Sequence, residues 1–170
     1  SFLTPSVVSV MEDGSVAVGQ IAKERLITHP KDTAASFKKK MGTTQNYVLG
    51  GRNFLPEELS GFVISAIVED ARNYLQEDVE DVIISVPAYF HDKQRVATKR
   101  AGALAGVMVK RIINEPSAAA LASYFDTRQE QLFLVFDFGG GTLDVSIVDC
   151  FDTMVEILAV SGDNHLGGDD

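Results

Sequence analysis

Two short apolar runs separated by a helical segment constrain the fold of this 170-residue chain more than any other feature. The runs DVIISVP and VMVKRII flank a helical stretch from about Asp92 to Leu104 that Gly106 ends, and a second helix is predicted from Pro116 to about Tyr124. Strands and helices in this order predict a parallel βαβ unit with a right-handed crossover. Because DVIISVP is uninterrupted, we expect that strand to be covered on both faces.

The first fifty-five residues predict a small sheet with a helix beside it. Two β-rich runs, 7–11 and 15–19, surround a Glu-Asp-Gly turn, and YVLGGRNFL predicts a second hairpin. A helix is expected from Ile21 to His29, because the proline that follows His29 disfavours the helical conformation in the residue before it. The α/β class therefore extends to this part of the chain.

Two further helices are predicted before DVIISVP. Asp32 or Thr33 is expected to cap a short helix that carries Lys38 and that Gly42 closes. Pro56 opens a long helix at a position where its missing N–H costs nothing. Apolar residues at helical spacing predict one buried face on that helix, made of Leu59, Phe62, Val63, Ala66, Ile67, Ala71, Tyr74 and Leu75.

The remaining residues predict a second sheet. Three strand-like runs, 131–138, 142–149 and 154–161, are joined by short links and are expected to form an antiparallel meander. The tail SGDNHLGGDD has the composition of turns.

Charge and cysteine content limit the partners and the compartment. The formal net charge of −9 argues against binding to nucleic acid or to an anionic membrane, and no apolar run reaches the ~20 residues of a membrane span. The single cysteine, Cys150, excludes an internal disulfide framework and favours a reducing, cytoplasmic location. Its place at the end of an apolar strand predicts a buried, inert thiol.

The stretch FDFGGGTLDVSIV, residues 136–148, is the strongest candidate for a binding site. It lacks the Gly-Lys-Ser/Thr ending of a Walker A loop, and a strand follows it where a dinucleotide fingerprint requires a helix. The triplet at 137–139 matches the magnesium triplet of protein kinases, but no His-Arg-Asp precedes it. Two interpretations remain: a plain hairpin, or a hairpin that binds phosphate with Mg²⁺ between the phosphate and Asp137 and Asp144.

Four motifs in order resemble the nucleotide-binding domain of the seventy-kilodalton heat-shock chaperones of the DnaK type. They are IISVPAYF (83–90), INEPSAAAL (113–121), FDFGGGTLDVS (136–146) and GDNHLGGDD (162–170). The resemblance covers essentially the whole chain, and small departures, such as Phe138 where Leu is usual and a shorter first hairpin region, suggest a divergent bacterial subgroup. It implies an incomplete α/β fold of the ribonuclease H-like, actin-like ATPase type.

The resemblance also implies the role of each candidate site residue. Lys38 reaches the transferred phosphate, and Glu115 lies beside the attacking water or the magnesium shell. From the residues alone, the alternative for Lys38 is a solvated charge, which fits Lys39 and Lys40 better, and the alternative for Glu115 is a helix N-terminal acid. The phosphate hairpin and its magnesium ligands, which act through water, are Asp137, Gly139, Gly140, Gly141, Thr142 and Asp144, and Gly167 and Gly168 lie near the phosphates. Pro87 and Arg95 match the pair that relays the nucleotide state to the substrate domain.

In family terms the chain is expected to be a fragment. Residues 1–126 are most of lobe I, with a small subdomain at 7–55 and a large subdomain at 56–126, and residues 130–170 are the first strands of lobe II. The amino-terminal phosphate hairpin and the peptide-binding domain of the family are expected to lie outside it. The intact parent is expected to bind ATP or ADP with Mg²⁺ and to couple hydrolysis to the binding of unfolded polypeptide. Its expected partners are a J-domain co-chaperone and a nucleotide exchange factor.

Two other functions stay open at this stage. One is a sugar or acetate kinase of the same superfamily, which HLGGDD and VPAYF disfavour. The other is a non-enzymatic docking module for co-chaperones, or for a second copy of the chain, because incomplete sheets expose edges.

The expected absence of phosphate and adenosine contacts predicts that this chain alone binds ATP weakly or not at all and turns none over. Each lost hydrogen bond to a charged group removes about 1.5–3 kcal/mol, and each ~1.4 kcal/mol is a factor of ten in affinity. Calorimetric titration with MgATP checks this, and micromolar binding would contradict it.

Overall fold

The computed structural model describes residues 3–127, 130–139, 142–151, 154–163, 166 and 168, with the backbone alone described for 125–127. The chain is a mixed α/β protein that divides into two compact units. Unit 1 comprises Ser1–Val82 and His91–Arg111, and unit 2 comprises Ile83–Phe90 and Ile112–Asp170. These units are defined by packing and do not decide the lobe boundaries, which stay a prediction.

Unit 1 contains two small antiparallel sheets and three helices. Strand β1 (Val7–Val10) lies between β2 (Val16–Val18) and β3 (Thr33–Ala35), and β4 (Tyr47–Leu49) pairs with β5 (Arg52–Phe54). The helices are α1 (Gln20–Thr28), α2 (Pro56–Leu75) and α3 (Asp92–Leu104). Both predicted hairpins and the start of α2 at Pro56 are confirmed.

The buried core of unit 1 joins the first sheet to α2. Apolar side chains from β1, β3, β4, β5, the first half of α2 and the segment after β3 form one cluster, made of Val8, Val10, Ala34, Phe37, Leu49, Phe54, Leu59 and Val63. This cluster fixes the position of the short segment that carries the lysines, because Phe37 belongs to it.

The predicted helix capped by Asp32 or Thr33 is wrong. Thr33 begins strand β3 instead, where it pairs with Ser9 of β1, and its Oγ1 lies 2.9 Å from the Ser9 Oγ. The lysines occupy a separate 3₁₀ turn, Phe37–Lys40, which follows Ser36 in the left-handed region at φ 55°. The β-branched Thr33 is stabilised by a strand partner distant in sequence, which outweighs its local capping preference.

The predicted buried face of α2 is correct near its start and wrong near its end. Leu59 and Val63 are buried, whereas Ile67 and Leu75 are exposed and Tyr74 is 86% exposed. The Ser60 hydroxyl donates to Pro56 O at 2.8 Å and lies 3.3 Å from Met41 Sδ, Gly61 approaches Leu104 of α3, and burial continues as far as Val68. Helical spacing therefore continues beyond the part of α2 that its neighbours cover.

Strands β6 (Asp81–Val86) and β7 (Met108–Asn114) are hydrogen-bonded neighbours in a two-stranded sheet. Met108 N donates to Glu80 O at 2.8 Å, and the Lys110 ammonium lies 3.0 Å from the Asp81 carboxylate. The two strands therefore meet at their starting ends and run in the same direction, as the βαβ pattern predicts. The expected cover on both faces is wrong at Ile83, which is 61% exposed, because the described elements leave that side of β6 open.

Unit 2 contains a three-stranded meander with one helix packed on it. Strands β8 (Gln131–Phe138), β9 (Leu143–Phe151) and β10 (Met154–Asp163) are antiparallel in the order β10-β9-β8, and α4 (Glu115–Thr127) packs against them. The predicted meander is confirmed, although β10 continues to Asp163, into the first residues assigned to the tail. On the helix-covered face, Ala120, Val148 and Cys150 form the buried core.

Strand β10 contains a bulge. Ile157 pairs with Val148 of β9, and Ala159 pairs with the adjacent Ile147, so that Leu158 is the extra residue. On β8 the outward face is apolar and exposed, formed by Leu132, Leu134, Phe136 and Phe138. Among the described residues, no helix is both long enough and apolar enough to cross a bilayer.

Replacing Leu59 by Ala is expected to destabilise the chain by about 2–5 kcal/mol, because Leu59 is fully buried in the core of unit 1 and its truncation leaves a cavity. The matched control is Leu75→Ala on the same helix, where the side chain is 55% exposed. Urea unfolding measures both variants, and equal losses would contradict the assigned core.

Cys150 is expected to stay protonated and unreactive in the folded chain. Burial, and secondarily the Asp149 carboxylate, raise the pKa of its thiol. The stability that this thiol contributes is therefore fully present below its ordinary pKa of about 8.5 and is lost as pH rises through the folded value.

Two measurements check this prediction. Labelling by a thiol-specific disulfide reagent at pH 8 is expected to be at least about tenfold slower in native buffer than in urea. The stability difference between the wild type and Cys150→Ala is expected to shrink above pH ~9. Rapid labelling of the native thiol would show that the assigned burial is incorrect.

Candidate functional site

The end of the β8–β9 hairpin brings two carboxylates face to face. Asp137 pairs directly with Asp144 in the antiparallel register, and Gly139 N donates to Thr142 O at 3.0 Å to close the turn. Residues directly opposite each other point to the same face, with Cβ atoms about 4.5–5.5 Å apart. Gly140 and Gly141, the centre of the predicted phosphate hairpin, lie outside the described residues.

The two carboxylates differ in exposure. Asp137 is exposed, whereas Asp144 is only 6% exposed, because it continues the face of β9 that also buries Ser146, Val148 and Cys150. Like charges directly opposite each other destabilise a sheet, and a nearby divalent cation offsets that repulsion. The pair therefore has the charge and spacing to attract a cation at the end of the hairpin.

The donor set decides which kind of metal site fits. Within the described residues, no group of three or more His, Cys, Asp or Glu side chains comes together. Mg²⁺ often uses only one or two carboxylates and completes its shell with water and substrate phosphate. Asp137 and Asp144 therefore fit a hydrated Mg²⁺.

Gly162 of β10 completes a row across the three strands. It pairs with Asp144, and a Cβ atom at this position would overlap the carbonyl oxygen of Leu143. Only glycine permits this approach of β10 to β9. Sequence reasoning did not single out Gly162, although a glycine inside a strand is a recognised sign of close backbone contact.

The second glycine segment meets the first. Gly168 N donates to Gly139 O at 3.0 Å, so the motifs around 139 and 168, far apart in sequence, adjoin in unit 2. The amides of both glycines already donate to carbonyls of the chain, and these residues therefore join the two segments by a backbone hydrogen bond. Gly167 lies outside the described residues. Thr142, half-buried, offers a hydroxyl beside the same turn.

Glu115 belongs to the same unit as the carboxylate pair. It is the first residue of α4, the helix that packs on β8, β9 and β10, and it is half-buried. The buried Pro116 follows it, at a position where its fixed φ favours the start of a helix. Residues of α4 and of the glycine hairpin are thus held on one scaffold.

Lys38 and Arg95 lie in unit 1, whereas Pro87 lies in unit 2. Lys38 is exposed and sits between the buried anchors Phe37 and Met41, with Met41 N donating to Lys38 O at 3.2 Å. Arg95 is half-buried in the first turn of α3, where its N–H donates to His91 O at 3.1 Å. The buried Pro87 follows β6 directly, and its carbonyl accepts from Phe90 N at 3.1 Å.

Comparison with known proteins places these residues in a family. The profile described as "Hsp70 protein" matches residues 1–49 and 43–170, which together cover the chain. A relative from Thermotoga neapolitana, the chaperone protein DnaK, is 47% identical over 171 aligned residues that include all of this chain. The chain spans 29% of the length of that relative. The predicted resemblance is confirmed, and the chain belongs to the Hsp70 protein family.

Proposed function

We propose that this chain supplies part of the ATP-binding and hydrolysing domain of a DnaK-type molecular chaperone. The observation that carries the proposal is the arrangement at the glycine hairpin, where Asp137 is opposite Asp144 and Gly168 joins Gly139. Family membership supports it, because a relative that matches the whole chain is named a chaperone. The proposed fold is the ribonuclease H-like, actin-like ATPase type, with lobe I at 1–126 (subdomains 7–55 and 56–126) and lobe II beginning at 130–170.

The proposed chemistry is phosphoryl transfer from ATP to water. Lys38 would contact the transferred phosphate, Glu115 would orient the attacking water, and the Thr142 hydroxyl would donate to a phosphate oxygen. Asp137 and Asp144 would hold the water shell of Mg²⁺, which when bound neutralises part of the phosphate charge. Catalysis of this kind depends on positioned donors and charges and needs no covalent intermediate.

The proposed partners belong to the whole protein. ATP turnover would control the binding of unfolded polypeptide, with a J-domain co-chaperone and a nucleotide exchange factor setting its rate, and Pro87 and Arg95 would relay the nucleotide state. A cytoplasmic location remains our proposal from the single buried thiol of Cys150. Membership of the Hsp70 family favours this function over a sugar or acetate kinase. Self-association through exposed sheet edges stays a prediction.

The test is an NMR titration of the chain with MgATP up to millimolar concentration. We expect amide shifts centred on Gly139, Thr142 and Gly168, and we expect chelation of Mg²⁺ to reverse them. Asp144→Asn is expected to weaken binding by about tenfold or more, because it removes a charged hydrogen-bond acceptor worth about 1.5–3 kcal/mol.

The matched control is Asp149→Asn, which makes the same change on the same strand but on the opposite face of the sheet. It is expected to leave the titration unchanged. Shifts that do not depend on Mg²⁺, or equal losses in the two variants, would reject the proposed site.

A further inference from the structure

The turn that carries Lys38 is held to its surroundings at three points. Phe37 is buried in the core of unit 1, and Met41 is buried against α2, where its Sδ lies 3.3 Å from Ser60 Oγ. The third point is Gly42, which contacts α3. Three backbone hydrogen bonds, each 3.2 Å long, run through the turn itself, with donors at Lys39, Met41 and Thr43.

The contact at Gly42 is backbone against backbone. A Cβ atom at this position would lie 2.9 Å from the carbonyl carbon and oxygen of Lys93 and 3.0 Å from the amide nitrogen of Gln94. Neither of these groups can rotate away as a side chain would. Gly42 also has φ +73°, in the region that L side chains rarely adopt. Two independent constraints therefore require glycine here.

The peptide that Gly42 touches lies in the first turn of α3. The Gln94 side chain closes this turn by accepting from His91 N at 3.0 Å, and Gln94 N donates to His91 O at 3.0 Å. Arg95 N donates to the same His91 carbonyl at 3.1 Å. Displacement of the Lys93–Gln94 peptide would thus move both the Arg95 backbone and the segment that follows Lys38.

We propose that Gly42 is a positioning residue, which holds the Lys38 turn directly on the first turn of α3 so that the two segments move together. The functional consequence rests on the proposed function: the contact would make the position of Lys38 at the phosphate depend on the conformation of α3, which carries Arg95. The contact itself does not depend on that function, and it is tested without nucleotide.

The experiment is NMR hydrogen exchange on the free chain with the variants Gly42→Ala, Gln94→Ala and their combination. Gln94→Ala removes the acceptor that closes the first turn of α3. We expect it to accelerate exchange about fivefold at Arg95 and equally at Met41 and Thr43. This is about the change in the equilibrium constant for local opening that the loss of one helix cap causes. In the Gly42→Ala background the same substitution is expected to have no further effect at Met41 and Thr43.

The matched control is Gly51→Ala. Gly51 has the same φ of +73°, but no described atom lies within 4 Å of a Cβ placed there, so this variant has the same backbone strain without the collision. It is expected to leave exchange at Met41, Thr43 and Arg95 unchanged. Equal effects of Gly42→Ala and Gly51→Ala would overturn the proposal.

Two further outcomes separate the inference from the proposed function. If Gln94→Ala accelerates exchange in α3 alone, the coupling is rejected, and this single variant decides the matter even if Gly42→Ala does not fold. If the exchange coupling is observed but Lys38→Ala leaves the MgATP titration unchanged, the positioning role of Gly42 stands and the proposed role of Lys38 is rejected.

Discussion

The pairing of Asp137 with Asp144 is the constraint on which the candidate site depends. Antiparallel register makes the two residues direct neighbours on one face, and the burial of β9 under α4 draws Asp144 out of solvent. A sheet that places two acids together in this way gives up stability unless a cation or a strong donor is near. The same register places Thr142 and Gly139 at the turn. The geometry of one hairpin thus places the two paired carboxylates beside the turn at Gly139 and Thr142.

Close backbone contacts at Gly42 and Gly162 perform similar tasks in the two units. In unit 2, β10 approaches β9 beside Asp144, and in unit 1 the lysine turn approaches α3. Each contact depends on the absence of a side chain at one position. Chemical groups carried on short turns are in this way held by regular elements, which are more rigid than the turns themselves.

Local chemistry allowed much of the fold to be predicted from the sequence. The Glu-Asp-Gly turn, the Gly50–Gly51 turn and Pro56 each determine structure through neighbouring residues, and these features and the three strands of the meander are found as expected. Strand β3 was missed because Thr33 is stabilised by β1, more than twenty residues away. Exposure at Ile83 and Tyr74 was missed because burial depends on which elements cover a face.

The candidate site was predictable only in part. Flanking aspartates and repeated glycines singled out the hairpin, but neither their spacing nor the tail motif reveals that Asp137 is opposite Asp144 or that Gly168 adjoins Gly139. Gly42 had been assigned only to the end of a helix. Its contact with α3 joins segments about fifty residues apart, and no local pattern carries such information.

The bulge at Leu158 changes the alternation of β10. Before it, Val155 and Ile157 face α4, and after it Val160 and Gly162 take that side. If pairing had continued without the extra residue, Ser161 would stand opposite Asp144, and its Cβ would meet the backbone that Gly162 avoids. One inserted residue thus shifts the in–out alternation of β10. The apolar part of the strand before the bulge and the part beside Asp144 after it can therefore both place their suitable residues on the face that α4 covers.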